Sequence, residues 1–183
     1  MTTPQSPQSL DDKRVALVNE HMRLENAYDF PGCVGVFGRA QYQLVADGEL
    51  YDGQDRVRYF LTQNHTAFPG FVFEPTRVSP TTDAVLVEGR FVGRQLGPWR
   101  GLPATGRNVD FQMCLIFEFD GESMTNEKIY FDLNTPLRQL GIADDYNSVR
   151  GKLSAVLGHP VVILKALLFS LTHRTPRPAK PKP

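Results

Sequence analysis

"VDFQMCLIFEFDGESMTNEKIYFDL", residues 109–133, is two extended runs separated by Asp120-Gly121. Asp-Gly between apolar-rich runs is a strong hairpin signal, because both residues tolerate the positive φ angles of a tight turn. Alternate residues of a strand point to opposite faces. In the first run Val109, Phe111, Met113, Leu115 and Phe117 share one face, and Asp110, Gln112, Cys114 and Ile116 the other. In the second, Lys128, Tyr130 and Asp132 share a face, opposite Ile129, Phe131 and Leu133. Two further extended segments, 71–78 and 84–95, precede this pair. Long strands joined by hairpins predict an antiparallel sheet.

Helical signals dominate upstream. Asp11 or Asp12 can start a helix reaching about Tyr28, with Leu17, His21, Leu24 and Tyr28 on one face. Phe30-Pro31-Gly32 should break it, leaving a short helix over 33–37. A strand pair is expected around Asp47-Gly48, then a helix over 53–65 stopped by Phe68-Pro69-Gly70. After the sheet, "LNTPLRQLG" reads as a helix with Thr135 at N-cap, Pro136 at N1 and Gly141 past its end. Helices first and sheet later make the fold class α+β.

The 183 residues, 41% hydrophobic and 22% charged, suit a soluble globular domain with a substantial core. The first ten residues are polar and read as disordered, without the apolar stretch of a secretory leader. Cys33 and Cys114 fit neither a metal spacing nor a disulfide framework, which points to a reducing cytoplasm. The histidines are not paired at metal spacing either, so no metal is expected. No phosphate-binding glycine loop and no nucleophile elbow is present. Residues 1–148 hold 13 Lys/Arg against 20 Asp/Glu, whereas residues 149–183 hold seven Lys/Arg and no acid. An acidic body whose basic tail lacks interleaved aromatics argues against nucleic-acid binding. The predicted organisation is a disordered 1–10, a domain over 11–148, an apolar basic helical extension over 149–173, and a Pro/Lys/Arg-rich tail over 174–183.

The motifs "YDGQDRVRYFL" (51–61), "WRGLPATGRNVDF" (99–111) and "IYFDLNTPLRQLG" (129–141), in this order, resemble the SnoaL-like polyketide cyclase (ester cyclase) family of the NTF2-like superfold. The likeness covers roughly residues 15–143. It implies a cone: a curved antiparallel sheet wrapped around N-terminal helices, enclosing an apolar pocket, with a homodimer as the usual assembly. It also implies cofactor-free aldol closure of a polyketide ester, with one Asp at the end of the last long strand as general base and then acid. That position is Asp132 here. The superfold also holds isomerases, dehydratases and non-catalytic binding domains, so two readings stand. One is a cyclase or isomerase acting on a hydrophobic carbonyl compound. The other is a binding domain for an apolar ligand.

For Asp132, an apolar pocket would raise its pKa toward neutrality, where a base abstracts a proton next to a carbonyl most effectively. The competing reading is local: an ion pair with Arg138. Gln112, on the same face if the strands pair in phase, could donate to an enolate oxygen, and Tyr130 could orient Asp132 or substrate. His21 and Tyr28 could form one polar spot on the pocket wall, although a hydrogen-bonded core histidine is the commoner outcome. Trp99 opens a Gly/Pro-rich loop that either lids the cone or anchors the loop. His65, at a helix end, reads as a partner of the helix dipole.

The likeness does not reach "VRGKLSAVLGHPVVILKALLFSLTHR", residues 149–174. It is helical in composition, with a break at Gly158-His159-Pro160. Its apolar stretch is shorter than the about 20 residues that span a bilayer. Three readings compete: packing on protein, a lid, or peripheral contact with a membrane through 149–183.

Overall fold

The computed structural model describes residues 9–173. Helix α1, Leu10–Asn26, starts from a reciprocal cap. The Ser9 side chain accepts the Asp12 N–H at 3.1 Å and the Asp12 carboxylate accepts the Ser9 N–H at 3.3 Å. This cap brings Ser9 and Leu10 into the folded chain, although composition places them in a disordered segment. Residues 1–8 and the expected tail at 174–183 lie outside the described residues.

Helix α2, Phe30–Gly35, begins where the sequence suggests a break. Pro31 lies in the first turn, where its missing N–H costs nothing, and Asp29 caps the Gly32 N–H. Strands β1 (Gln41–Leu44) and β2 (Glu49–Asp52) form the hairpin expected at Asp47-Gly48, and α3 spans Gln54–Ala67. The long strands are β3 (Val72–Pro80), β4 (Ala84–Arg94), β5 (Asn108–Asp120) and β6 (Ser123–Phe131), followed by α4, Asn134–Gln139.

One curved sheet holds all six strands in the order β2-β1-β6-β5-β4-β3. The β3–β6 meander is antiparallel, but β1 pairs with β6 in parallel, Tyr42 beside Glu127. The sheet is therefore mixed, where a purely antiparallel one was expected. A parallel pair needs a long crossover, and here the crossover is everything from β2 to β5, so no local motif announces it.

The inner face of the sheet packs against α1 and α3 through Val18, Met22, Val57, Leu61, Leu115 and Phe117, all buried. Phe71, Phe91, Phe111 and Phe131 form an aromatic row across that face, with successive ring centroids 5.0, 5.2 and 5.4 Å apart. Helix α1 is fixed at both ends. Buried Arg14 donates to the carbonyls of Gly121 (2.9 and 2.7 Å) and Thr82 (2.8 Å). The Asn26 amide bonds both the N–H and the carbonyl of Phe73 at 2.9 Å. These clamps hold His21 and Glu25 at a set height over the sheet.

The chain divides after Leu140 into two compact units. The second contains α5, Val149–Gly158, and α6, Pro160–Thr172, which bend by 102° across Gly158-His159-Pro160.

Candidate active site

A cavity of about 60 Å³ lies under the aromatic row, walled by Phe68, Phe91, Phe111 and Phe131 and carrying the carboxyls of Glu25 and Glu127. An open groove of about 640 Å³ adjoins it. Phe60, Asn64, Trp99 and Arg100 line both, so the Trp99–Arg100 turn is the partition between them. Trp99 and Leu102 exchange backbone hydrogen bonds of 3.0 and 2.9 Å, and the indole meets Phe68 edge-on at 5.5 Å. Arg100 adopts a left-handed φ of 51°, ion-pairs with Asp47 in the β1–β2 turn, and lies 5.2 Å from the Trp99 ring centre. The partition is thus pinned to a neighbouring hairpin.

Behind the cavity lies a buried polar cluster assembled from four elements. His21 on α1 is its hub. Its Nε2 lies 3.2 Å from Glu127 Oε2, 3.0 Å from the Tyr42 hydroxyl and 3.7 Å from Glu25 Oε2. Its Nδ1 lies 3.2 Å from the Cys33 carbonyl and 3.4 Å from the Cys33 sulfur. The edges of Phe37 and Phe117 close around the imidazole, with centroids 5.1 and 5.4 Å away. His21, Cys33, Tyr42 and Glu127 are each at most 2% exposed, while the Glu25 side chain, 19% exposed, reaches the cavity.

Burial dominates the electrostatics. It raises the Glu25 carboxyl to a pKa of about 7; the negative charge of Glu127 adds to the rise and His21 opposes it. Burial would depress the His21 imidazolium, but its hydrogen bonds to Cys33 and Glu127 outweigh that and raise it well above the ordinary histidine value. Burial pushes the Cys33 thiol and the Tyr42 phenol up. The shifts favour a protonated His21 imidazole beside a neutral Cys33 thiol and a neutral Tyr42 phenol, with the Glu25 carboxyl near its midpoint at neutral pH.

The expected site residues divide sharply. Phe131 points inward, so Asp132 points out. It is exposed, accepts the Asn134 N–H at 3.0 Å and the Thr135 hydroxyl at 2.7 Å, and serves the first turn of α4. Those two bonds hold its carboxyl below the usual range. The local work assigned to Thr135 thus falls to Asp132, and the expectation of a desolvated base at this position is corrected. Gln112 and Tyr130 share its face, as parity predicts, but that face is the outer one and both are exposed. Tyr28 donates its hydroxyl to the Phe71 carbonyl at 2.6 Å and packs its ring on His65 at 4.4 Å. It does not meet His21. Trp99 lines the cavity, and His21 lies behind it.

Glu25, Glu127, Tyr42 and Cys33 escaped the sequence reading. Two signals were present. Glu25 follows His21 by four residues, one helical turn. Glu127 is in phase with Ile129 and Phe131, which puts a carboxylate on a core-facing strand position. Ligand atoms of His21, Glu25 and Cys33 lie within 4.8 Å of one another, a grouping that sequence spacing could not show. Hydrogen bonds account for both imidazole nitrogens.

Residues 39–140 match the profile of the SnoaL-like polyketide cyclases. No curated protein sequence matches significantly. AclR from Streptomyces galilaeus, a proposed hydroxylase, is 19% identical with a TM-score of 0.65, covering 90% of this chain and 99% of its own. A protein from Jannaschia sp. CCS1 assigned to the SnoaL-like polyketide cyclases is 19% identical with a TM-score of 0.66, covering 78% and 100%. An NTF2-like protein of unknown function from Burkholderia pseudomallei K96243 is 15% identical with a TM-score of 0.61, covering 70% and 97%. At these identities the likeness speaks for the fold: NTF2-like α+β, with N-terminal helices and a curved mixed sheet.

Proposed function

The chain belongs to the SnoaL-like polyketide cyclase family, and from that premise we propose that it transfers protons at the carbon next to a carbonyl in a small aromatic compound. Glu25 is the acid–base group. The observation that carries this reading is a carboxyl on an apolar cavity wall, backed by the buried His21–Glu127 pair. A group with a pKa of about 7 is suited to take and return a proton at neutral pH. Its carboxylate accepts the α-proton; the electron pair moves into the enolate, and the same carboxyl returns the proton at carbon. Asn64 and Arg100 are the polar groups on the cavity wall available to the enolate oxygen.

The aromatic lining favours a flat, apolar substrate. A cavity of about 60 Å³ is far below the roughly 300–1,000 Å³ of ligand pockets, so the substrate extends from the cavity into the adjoining groove past the Trp99–Arg100 turn. The test is α-hydrogen exchange of phenylacetone in D2O, followed by proton NMR. Wild type accelerates the exchange, and Glu25→Gln lowers the rate about 100-fold or more. Equal rates in wild type and variant overturn the assignment of Glu25. Binding without exchange, seen as quenching of Trp99, supports the ligand-binding reading instead.

A further inference from the structure

We propose that the C-terminal unit docks the protein on anionic phospholipid bilayers, with α6 inserted among the acyl chains. Helix α6 buries none of its residues. Val161, Leu164, Leu167, Leu168, Phe169 and Leu171 are all more than half exposed. At 100° per residue these six positions cover only about 200° of the circumference, but Val162, Ile163 and Ala166 fall in the remaining arc, so that no side of the helix is continuously polar. Its hydroxyls do not seek water either. Ser170 donates to the Ala166 and Leu167 carbonyls at 2.9 Å, and Thr172 to the Phe169 carbonyl at 3.0 Å. A helix whose polar groups are satisfied by its own backbone is suited to hydrocarbon. Lys165 is its one charge, and a lysine stem can carry the ammonium up to the headgroups.

Length decides between crossing and lying shallow. Thirteen residues rise about 20 Å, against about 30 Å of hydrocarbon. No single described helix is long and apolar enough to cross a membrane. The 102° bend between α5 and α6 sets the two helices in different directions, which suits one leaflet better than a span. Charge chooses the lipid. The unit after Leu140 carries seven Lys/Arg against two acids, Asp144 and Asp145, and Asp144 pairs with Arg150 at 2.9 Å. Anionic headgroups attract each Lys or Arg that lies near the surface. The same excess disfavours a second copy as the occupant, since two such units would bring fourteen cations together against four acids.

The full-length protein is sedimented with vesicles of phosphatidylcholine alone and with 30% phosphatidylglycerol. We expect at least tenfold tighter partitioning on the anionic vesicles, reduced at least tenfold by 0.5 M salt. Leu164→Ser/Leu168→Ser/Leu171→Ser should weaken it at least tenfold, with Trp99 emission unchanged as a check on the body. The comparison of wild type on the two vesicle types needs no variant. Equal partitioning on both, or none on either, overturns the proposal. So does absent binding together with a dimer that the serine variant converts to monomer, which would make a second copy the occupant.

Discussion

Glu25→Gln tests whether position 25 holds a buried carboxyl with a raised pKa, because it should stabilise the protein at and above neutral pH. Glu25 titrates at about 7 in the folded chain against an ordinary value of 4.5. The unfolded chain therefore releases this proton first. Between those pH values the folded state binds more protons, and stability falls as pH rises. Each pH unit of that gap is worth about 1.4 kcal/mol, so the ionised carboxyl costs the fold about 3 kcal/mol above pH 7. Glutamine mimics the protonated form and carries no such cost. The difference between variant and wild type should be near zero at pH 4 and reach about 3 kcal/mol in favour of the variant at pH 8. With a urea slope of about 2 kcal/mol/M this moves the midpoint up by about 1.5 M. Trp99, the sole tryptophan, reports unfolding by fluorescence. Superimposable stability curves, or a variant less stable at pH 8, would refute the buried-carboxyl argument.

Two further substitutions test the geometry around the site. Asp132→Ala should cost about 1 kcal/mol, the worth of a helix N-cap, and leave phenylacetone exchange within twofold of wild type; a hundredfold loss of exchange would return Asp132 to the chemistry. Gly97→Ala places a Cβ 2.2 Å from the Thr66 carbonyl oxygen, a backbone atom that cannot swing away. It should destabilise by about 1–3 kcal/mol and redden Trp99 emission as the adjoining turn shifts, readable by urea titration and fluorescence.

Much of the fold was legible because it rests on local periodicity. Alternation in 109–119 and 124–133, the Asp120-Gly121 turn and the Gly141 stop are each written within a few residues. The parallel seam between β1 and β6 was not, since its partners are distant in sequence. Strand parity correctly grouped Lys128, Tyr130 and Asp132, but parity names two faces without saying which is inside. The apolar partners Ile129 and Phe131 held that answer, and following them leads to Glu127 rather than Asp132. His21 was legible as a polar residue on a buried helical face. Its partners were not, because α2, β1 and β6 meet it only in three dimensions.

The parallel seam has a kinetic consequence. Tyr42 and Glu127 are neighbours in space but about 85 positions apart in the chain. The β3–β6 meander can zip from turn to turn, each closure short. Docking β1 against β6 must close a long loop before any contact repays the lost entropy. The polar cluster needs that same docking, because Tyr42 arrives on β1 and Glu127 waits on β6. On this route α1 can pack on the meander, setting His21 beside Glu127, while Tyr42 is still missing from the cluster. Compaction and completion of the polar cluster are then separate events, and His21 gains its Tyr42 neighbour only in the last, least local step of folding.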